Sequence, residues 1–219
     1  LSAIINSTTL HLAAYPDTDA ATKAIAEAHN VTVDQVLPTA GGAEAFTLLA
    51  RAFRPDRPLI IHPQFTEPEA ALIAGGHRPQ RLILSPATGF RLHPDLVPSD
   101  ADLVVIGNPT NPTGVLHPAA LINSLRQAER LLVVDEAFMD AVPGEAETLI
   151  SDDLTGVVIL RSLTKTWGLA GLRAGYVIGD PKLVAGTPVS IAMAGAHFDG
   201  RYVLTTAKHV YDEHGYRVH

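Results

Sequence analysis

The run Ser162-Leu163-Thr164-Lys165-Thr166-Trp167-Gly168 sets one amine among hydroxyls, and Gly171-Leu172-Arg173-Ala174-Gly175-Tyr176 follows with an arginine eight residues after the lysine. A primary amine held beside phosphate-binding groups is what Schiff-base chemistry needs. The hydroxyls and the guanidinium suit a phosphate dianion, which arginine grips through a charge-assisted fork. An isolated SxxK would read as a solvent lysine in a loop; the combination reads as chemistry.

Four other clusters carry groups of interest. Asp135-Glu136-Ala137-Phe138 ends a fully apolar run, and a carboxylate at a buried strand end is costly unless paired. Asp135 read alone is equally a helix cap. Gly41-Gly42-Ala43-Glu44-Ala45 lies between a strand pattern and a helix pattern, where backbone N–H groups at the helix start can bind an anion. Asn108-Pro109-Thr110-Asn111-Pro112-Thr113-Gly114 is by itself Pro/Gly turn chemistry after a strand. Pro63-Gln64-Phe65 offers an aromatic that alone would be taken for core, and Tyr15-Pro16 stands near the start.

The elements that must position these groups alternate in type. Helices are predicted over 17–29 (capped by Asp17, Thr18 or Asp19), 43–53 and 67–74, and strands over 36–39, 59–62, 81–84, 103–106, 131–134 and 157–160. Continuously apolar strands separated by helices imply an α/β fold with a mostly parallel sheet covered on both faces. The polar clusters fall at the carboxyl ends of the strands, where open α/β sheets bind ligands. From about residue 187 the character changes to a β-hairpin pattern, alternating over 202–206 with a polar turn near 212–215.

The composition is globular: 47% hydrophobic and 18% charged over 219 residues, enough for one or two domains. A net charge of -7 argues against nucleic acid as a partner, because phosphate backbones need clustered Lys and Arg. No apolar run reaches the length of a membrane span, and the first residues lack a basic leader. The absence of cysteine excludes disulfides and thiolate metal sites and suits a cytoplasmic protein. His209, His214 and His219 stand five residues apart in a hairpin pattern, an odd spacing that favours surface residues over a metal site, and no metal is expected. Dinucleotide, P-loop, zinc-protease and serine-hydrolase motifs are missing.

The order YP, GGAEAF, PQF, NPTNPTG, DEAF, RSLTK and GLRAGY resembles the aminotransferase class I/II superfamily of fold type I, which depends on pyridoxal 5′-phosphate (PLP). Within it the pattern is similar to the branch holding histidinol-phosphate aminotransferase and the threonine-phosphate decarboxylase of cobalamin biosynthesis. The resemblance implies a PLP-binding large domain over residues 1–186, matched over about 11–186. It implies that Lys165 carries the cofactor and that Asp135 pairs with the pyridine nitrogen, both catalytic. Asn111 would bond the phenolic oxygen and Phe65 stack on the ring. Gly42, Ala43, Ser162, Thr164 and Arg173 would hold the phosphate, and Tyr15 would reach the phosphate of a neighbouring subunit in a homodimer.

Phe138 and Phe65 stand where histidinol-phosphate aminotransferases usually carry tyrosine, which favours the decarboxylase side. Without a hydroxyl at Phe138, the lysine–cofactor linkage should titrate about a unit higher. The expected substrate is a small phosphorylated amino acid or amino alcohol. Cleaving Cα–COO⁻ gives a lyase; cleaving Cα–H gives an aminotransferase. Past residue 186 the resemblance stops. Residues 187–219 are expected to be an unmatched, β-hairpin-like tail, either a spliced or a foreign segment, where the family continues into a small substrate-gripping domain. Residues 194–219 look instead like a β-rich piece of phage-tail or baseplate proteins. That tail motivates a second expectation of another class, a non-catalytic structural or interaction protein with a degenerate PLP domain.

Overall fold

The computed structural model describes residues 6, 17–151, 153–184, 188–191, 200–203, 209–212 and 215–218. Seven strands build one sheet: β1 (Val36–Thr39), β2 (Pro58–His62), β3 (Gln80–Ile83), β4 (Leu103–Gly107), β5 (Leu131–Asp135), β6 (Val157–Ser162) and β7 (Gly175–Gly179). Their spatial order is β1-β7-β6-β5-β4-β2-β3. The β3-β2-β4-β5-β6 block is parallel, and β7 lies antiparallel between β6 and β1.

The central strands are apolar at every position because both faces are covered. Side chains alternate across the sheet, so Val104, Ile106, Leu132, Val134, Val157 and Ile159 enter one core. That core also takes Ala26 of α1 (Asp19–His29) and Ile122 of α4 (Ala119–Asn123). Leu103, Val105, Leu131, Val133, Val158 and Leu160 enter the other. There they meet Ala45, Phe46 and Ala50 of α2 (Gly42–Ala52), Leu72 of α3 (Glu67–Ala74) and Val184 of α5 (Pro181–Val184). Each such side chain stabilises the fold by about 1.5–3 kcal/mol when fully buried. The expected mostly parallel sheet with helices on both faces is therefore the observed one.

Three local departures from expectation have physical causes. The strands β5 and β6 run on through Asp135 and through Arg161-Ser162, because the ladder continues: Glu136 N–H donates to the Leu160 carbonyl at 2.9 Å. Thr18 is the cap residue of α1 but its side chain makes no cap bond; Asp17 Oδ1 accepts the Asp19 N–H instead, at 2.8 Å. The strand β7 was not foreseen, since its glycine-bounded start reads locally as a turn. Its place is set by long-range packing: a Cβ on Gly175 would lie 2.8 Å from the Arg161 carbonyl oxygen and 3.0 Å from Gly41 Cα.

Beyond the sheet, β8 (Pro188–Ile191) pairs antiparallel with β9 (Gly200–Val203), and β10 (His209–Asp212) with β11 (Gly215–Val218). Tyr15, His214, His219 and residues 204–206 lie outside the described residues. No helix among the described residues is long and apolar enough to cross a membrane.

The crowding at β7 gives a testable contrast. Gly175→Ala forces backbone apart on both sides and should cost about 1–3 kcal/mol, as overpacking does. Gly171→Ala, where an added Cβ meets nothing within 4 Å, should stay within about 0.5 kcal/mol of the parent. Urea unfolding of the two variants measures the difference.

Candidate active site

The carboxyl ends of β4, β5 and β6 and the start of α2 converge on one cavity. Gly41 makes the turn into α2 with φ 83° and ψ 177°, a conformation that favours glycine. Thr39 Oγ1 donates to the Gly41 carbonyl at 3.1 Å, and Glu44 reaches back to accept the Ala40 N–H at 2.5 Å. These contacts aim the first turn of α2, so that Gly42 and Ala43 line the cavity. The first N–H groups of a helix have no intrahelical partner and form an anion site. Arg173 closes on the same spot: its Nη2 lies 3.4 Å from where a Gly41 Cβ would stand. Arg173 itself adopts the left-handed conformation, φ 51°, and its Nη1 donates to the Ala170 carbonyl at 3.3 Å.

Ser162, at the end of β6, and Thr164 share a hydrogen bond between hydroxyls at 2.7 Å, and both line the cavity beside Lys165. The Lys165 ammonium sits 5.8 Å from the centre of the Phe138 ring, over its face. Asn111, also in the lining, arrives on a loop stapled by a residue to which the sequence reading gave no role. Asn108 is fully buried; its side chain donates to the His117 and Glu147 carbonyls and accepts the His117 N–H at 2.8 Å. Thr110 adds a bond from its hydroxyl to the Gly107 carbonyl at 2.7 Å. Phe65 completes the lining, together with Phe46, Gly107, Pro109 and Ala137, which the sequence reading had not singled out. The GGAEAF run contained the signal for Phe46, since its sixth position lies on the inward stripe of α2.

Asp135 is the last residue of β5. Burial pushes its carboxyl up to about 6, against the opposing effects of the Ala137 N–H, which its Oδ1 accepts at 3.0 Å, and of the Lys165 charge. A desolvated carboxylate with so little compensation fits a cationic ring nitrogen, and the guanidinium, hydroxyls and helix start fit a phosphate. An amine, that of Lys165, lines the same cavity. PLP has all three complementary parts, so the donor set suits it. Of the expected site residues, Gly42, Ala43, Phe65 and Asn111 line this cavity, as do Asp135, Ser162, Thr164, Lys165 and Arg173. Tyr15 lies outside the described residues.

Comparison with known proteins agrees with this chemistry. Residues 4–191 match the family model described as aminotransferase class I and II. A histidinol-phosphate aminotransferase of Mycobacterium bovis is 52% identical over 177 residues, covering 80% of this chain and 48% of that protein. The threonine-phosphate decarboxylase of Salmonella typhimurium is 32% identical over 178 residues, covering 76% of this chain and 48% of its own. A histidinol-phosphate aminotransferase from Sinorhizobium meliloti, solved in complex with pyridoxal-5′-phosphate, shares the fold with a TM-score of 0.73. It is 21% identical and the match covers 82% of this chain and 52% of that one. The chain thus spans about half the length of the curated relatives it matches.

The state of Asp135 has a measurable consequence. In the cofactor-free chain its proton is held up to about 6, whereas an unfolded chain releases it near 3.9. The folded state binds more protons between those values, so stability should fall as the pH rises through them. Asp135→Asn should flatten that slope and raise stability at pH 7 by about 1–3 kcal/mol, read by urea unfolding between pH 4 and 8.

Proposed function

The chain belongs to the class I and II aminotransferase family, and on that premise we propose that it is the cofactor-binding part of a PLP-dependent enzyme acting on a small phosphorylated amino acid or amino alcohol. The observation that carries this reading is the gathering of Lys165, Arg173, Ser162 and Asp135 around one cavity. Bound PLP supplies an aldehyde that captures amines and a ring that accepts electrons. Arg173, the hydroxyls of Ser162 and Thr164, and the N–H groups of Gly42 and Ala43 would hold the phosphate. Asp135 would pair with the ring nitrogen, whose positive charge would draw its raised carboxyl back to the ionised form. Asn111 would donate to the ring oxygen, and Phe65 would cover the ring. Lys165 would hold the cofactor and, when its amine is free, would move a proton at Cα.

The proposed bond cleavage is Cα–COO⁻, as in threonine-phosphate decarboxylases. Phe138 and Phe65 support it, since neither brings a hydroxyl to the cavity. The second reading, transamination of histidinol phosphate, has the support of the 52% identical relative. The proposed setting is a cytoplasmic homodimer completed by Tyr15 of the neighbouring copy, serving cobalamin biosynthesis.

The holoprotein should absorb visible light, and Lys165→Ala should abolish that band; a colourless parent protein that ignores added PLP would overturn the reading. Carbon dioxide released from O-phospho-L-threonine supports decarboxylation. Glutamate formed from histidinol phosphate and 2-oxoglutarate supports transamination, and turnover of either kind dismisses a purely structural role. Phe138→Tyr restores a donor and should lower the pH midpoint of the visible band by about a unit.

A further inference from the structure

Alternation at the end of β6 sends Ser162 to the cavity and Arg161 to the opposite face. The same alternation at the end of β5 separates Asp135 from Glu136. On that hidden face Arg161, 1% exposed, meets three carboxylates. Its Nε donates to Glu136 Oε2 at 3.0 Å, Nη1 to Asp140 Oδ1 at 2.7 Å and Nη2 to Glu145 Oε2 at 2.6 Å. All three acids belong to the segment that leaves β5. Glu136 directly follows Asp135, and Asp140 comes two residues after Phe138. Asp140 has a further partner, because its Oδ2 accepts the Trp167 indole N–H at 2.5 Å, and Trp167 comes two residues after Lys165.

Resting on the PLP reading above, we propose that Arg161 is a positioning residue: one guanidinium, acting through Asp140 and Trp167, fixes the segment that bears Asp135 and Phe138 against the segment that bears Lys165. Arg161, Asp140 and Trp167 do not line the cavity, so their effect passes through the residues that do. The planar fork is essential to the role, since three donors point along three fixed directions to three acids. A buried pair could stabilise the fold without touching function. The arrangement here is more specific than that, because its outermost link ends on the loop of the reactive lysine rather than in the core.

Trp167 is the sole tryptophan of the chain and reports on the tether without any cofactor. The full chain and two variants are compared. Asp140→Ala cuts the link to Trp167 while Arg161 keeps Glu136 and Glu145; Arg161→Met removes the hub. With PLP absent, Trp167 fluorescence anisotropy should drop in both. With PLP added, the dissociation constant should rise roughly tenfold in Asp140→Ala and more in Arg161→Met, as expected when supporting contacts of a site are loosened. The thermal midpoint of Asp140→Ala should stay within a few degrees of the parent, so its loss of affinity is not a loss of fold. Parent-like anisotropy and PLP affinity in Asp140→Ala overturn the proposal, and that variant decides even where Arg161→Met fails to fold. If the parent binds no PLP, the cofactor reading falls on its own, and the anisotropy alone then upholds or overturns the tether.

Discussion

Two carboxylates leave one strand end side by side, and neither has water to solvate it fully. Burial pushes the carboxyls of both Asp135 and Glu136 upward, yet the fold treats them in opposite ways. Glu136 is answered from within, by Arg161, the Leu149 N–H and the Thr148 hydroxyl. Asp135 receives one backbone N–H and the charge of Lys165. Alternation along β5 makes this division possible, because consecutive residues cannot share a face. Breaking a buried pair such as Arg161–Glu136 would cost about 3–5 kcal/mol, so the hidden face is committed to its own interior. The cavity face keeps its unmet demand, which is the kind of site a cationic ligand suits.

Much of the architecture was legible because it rests on local pattern. The apolar runs of β4, β5 and β6 announce strands covered on both sides, and the glycines before α2 announce a helix that opens on a ligand. β7 was not legible. Three residues between two glycines carry little local information, and what makes them a strand is the groove between β6 and β1, where Gly175 fits against Arg161 and Gly41. The same holds for Asn108, which looked like half of a turn and turns out to clamp the loop that presents Asn111.

The residues that line the cavity were largely readable as types: an amine, an arginine, hydroxyls and a carboxylate at strand ends. The ion cluster behind them was not. Glu136, Asp140, Glu145, Arg161 and Trp167 are scattered along the chain and acquire meaning only when β5 and β6 lie in register. One signal was present: a charged residue at an inward position of an otherwise apolar strand must find partners, and Arg161 directly follows four apolar residues of β6.

The antiparallel strand β7 also sets a schedule. β1 is the first of the described strands in chain order, yet its one neighbour in the sheet is β7, about 140 residues later in the chain. While the chain is still being extended through β6, the glycine turn at Gly41 lacks the Gly175 backbone it packs against. Contacts so distant in sequence form late and slowly. The turn into α2 therefore gains its full support only once Gly175–Gly179 has emerged, and the packing of that helix start is among the last contacts of the sheet to form.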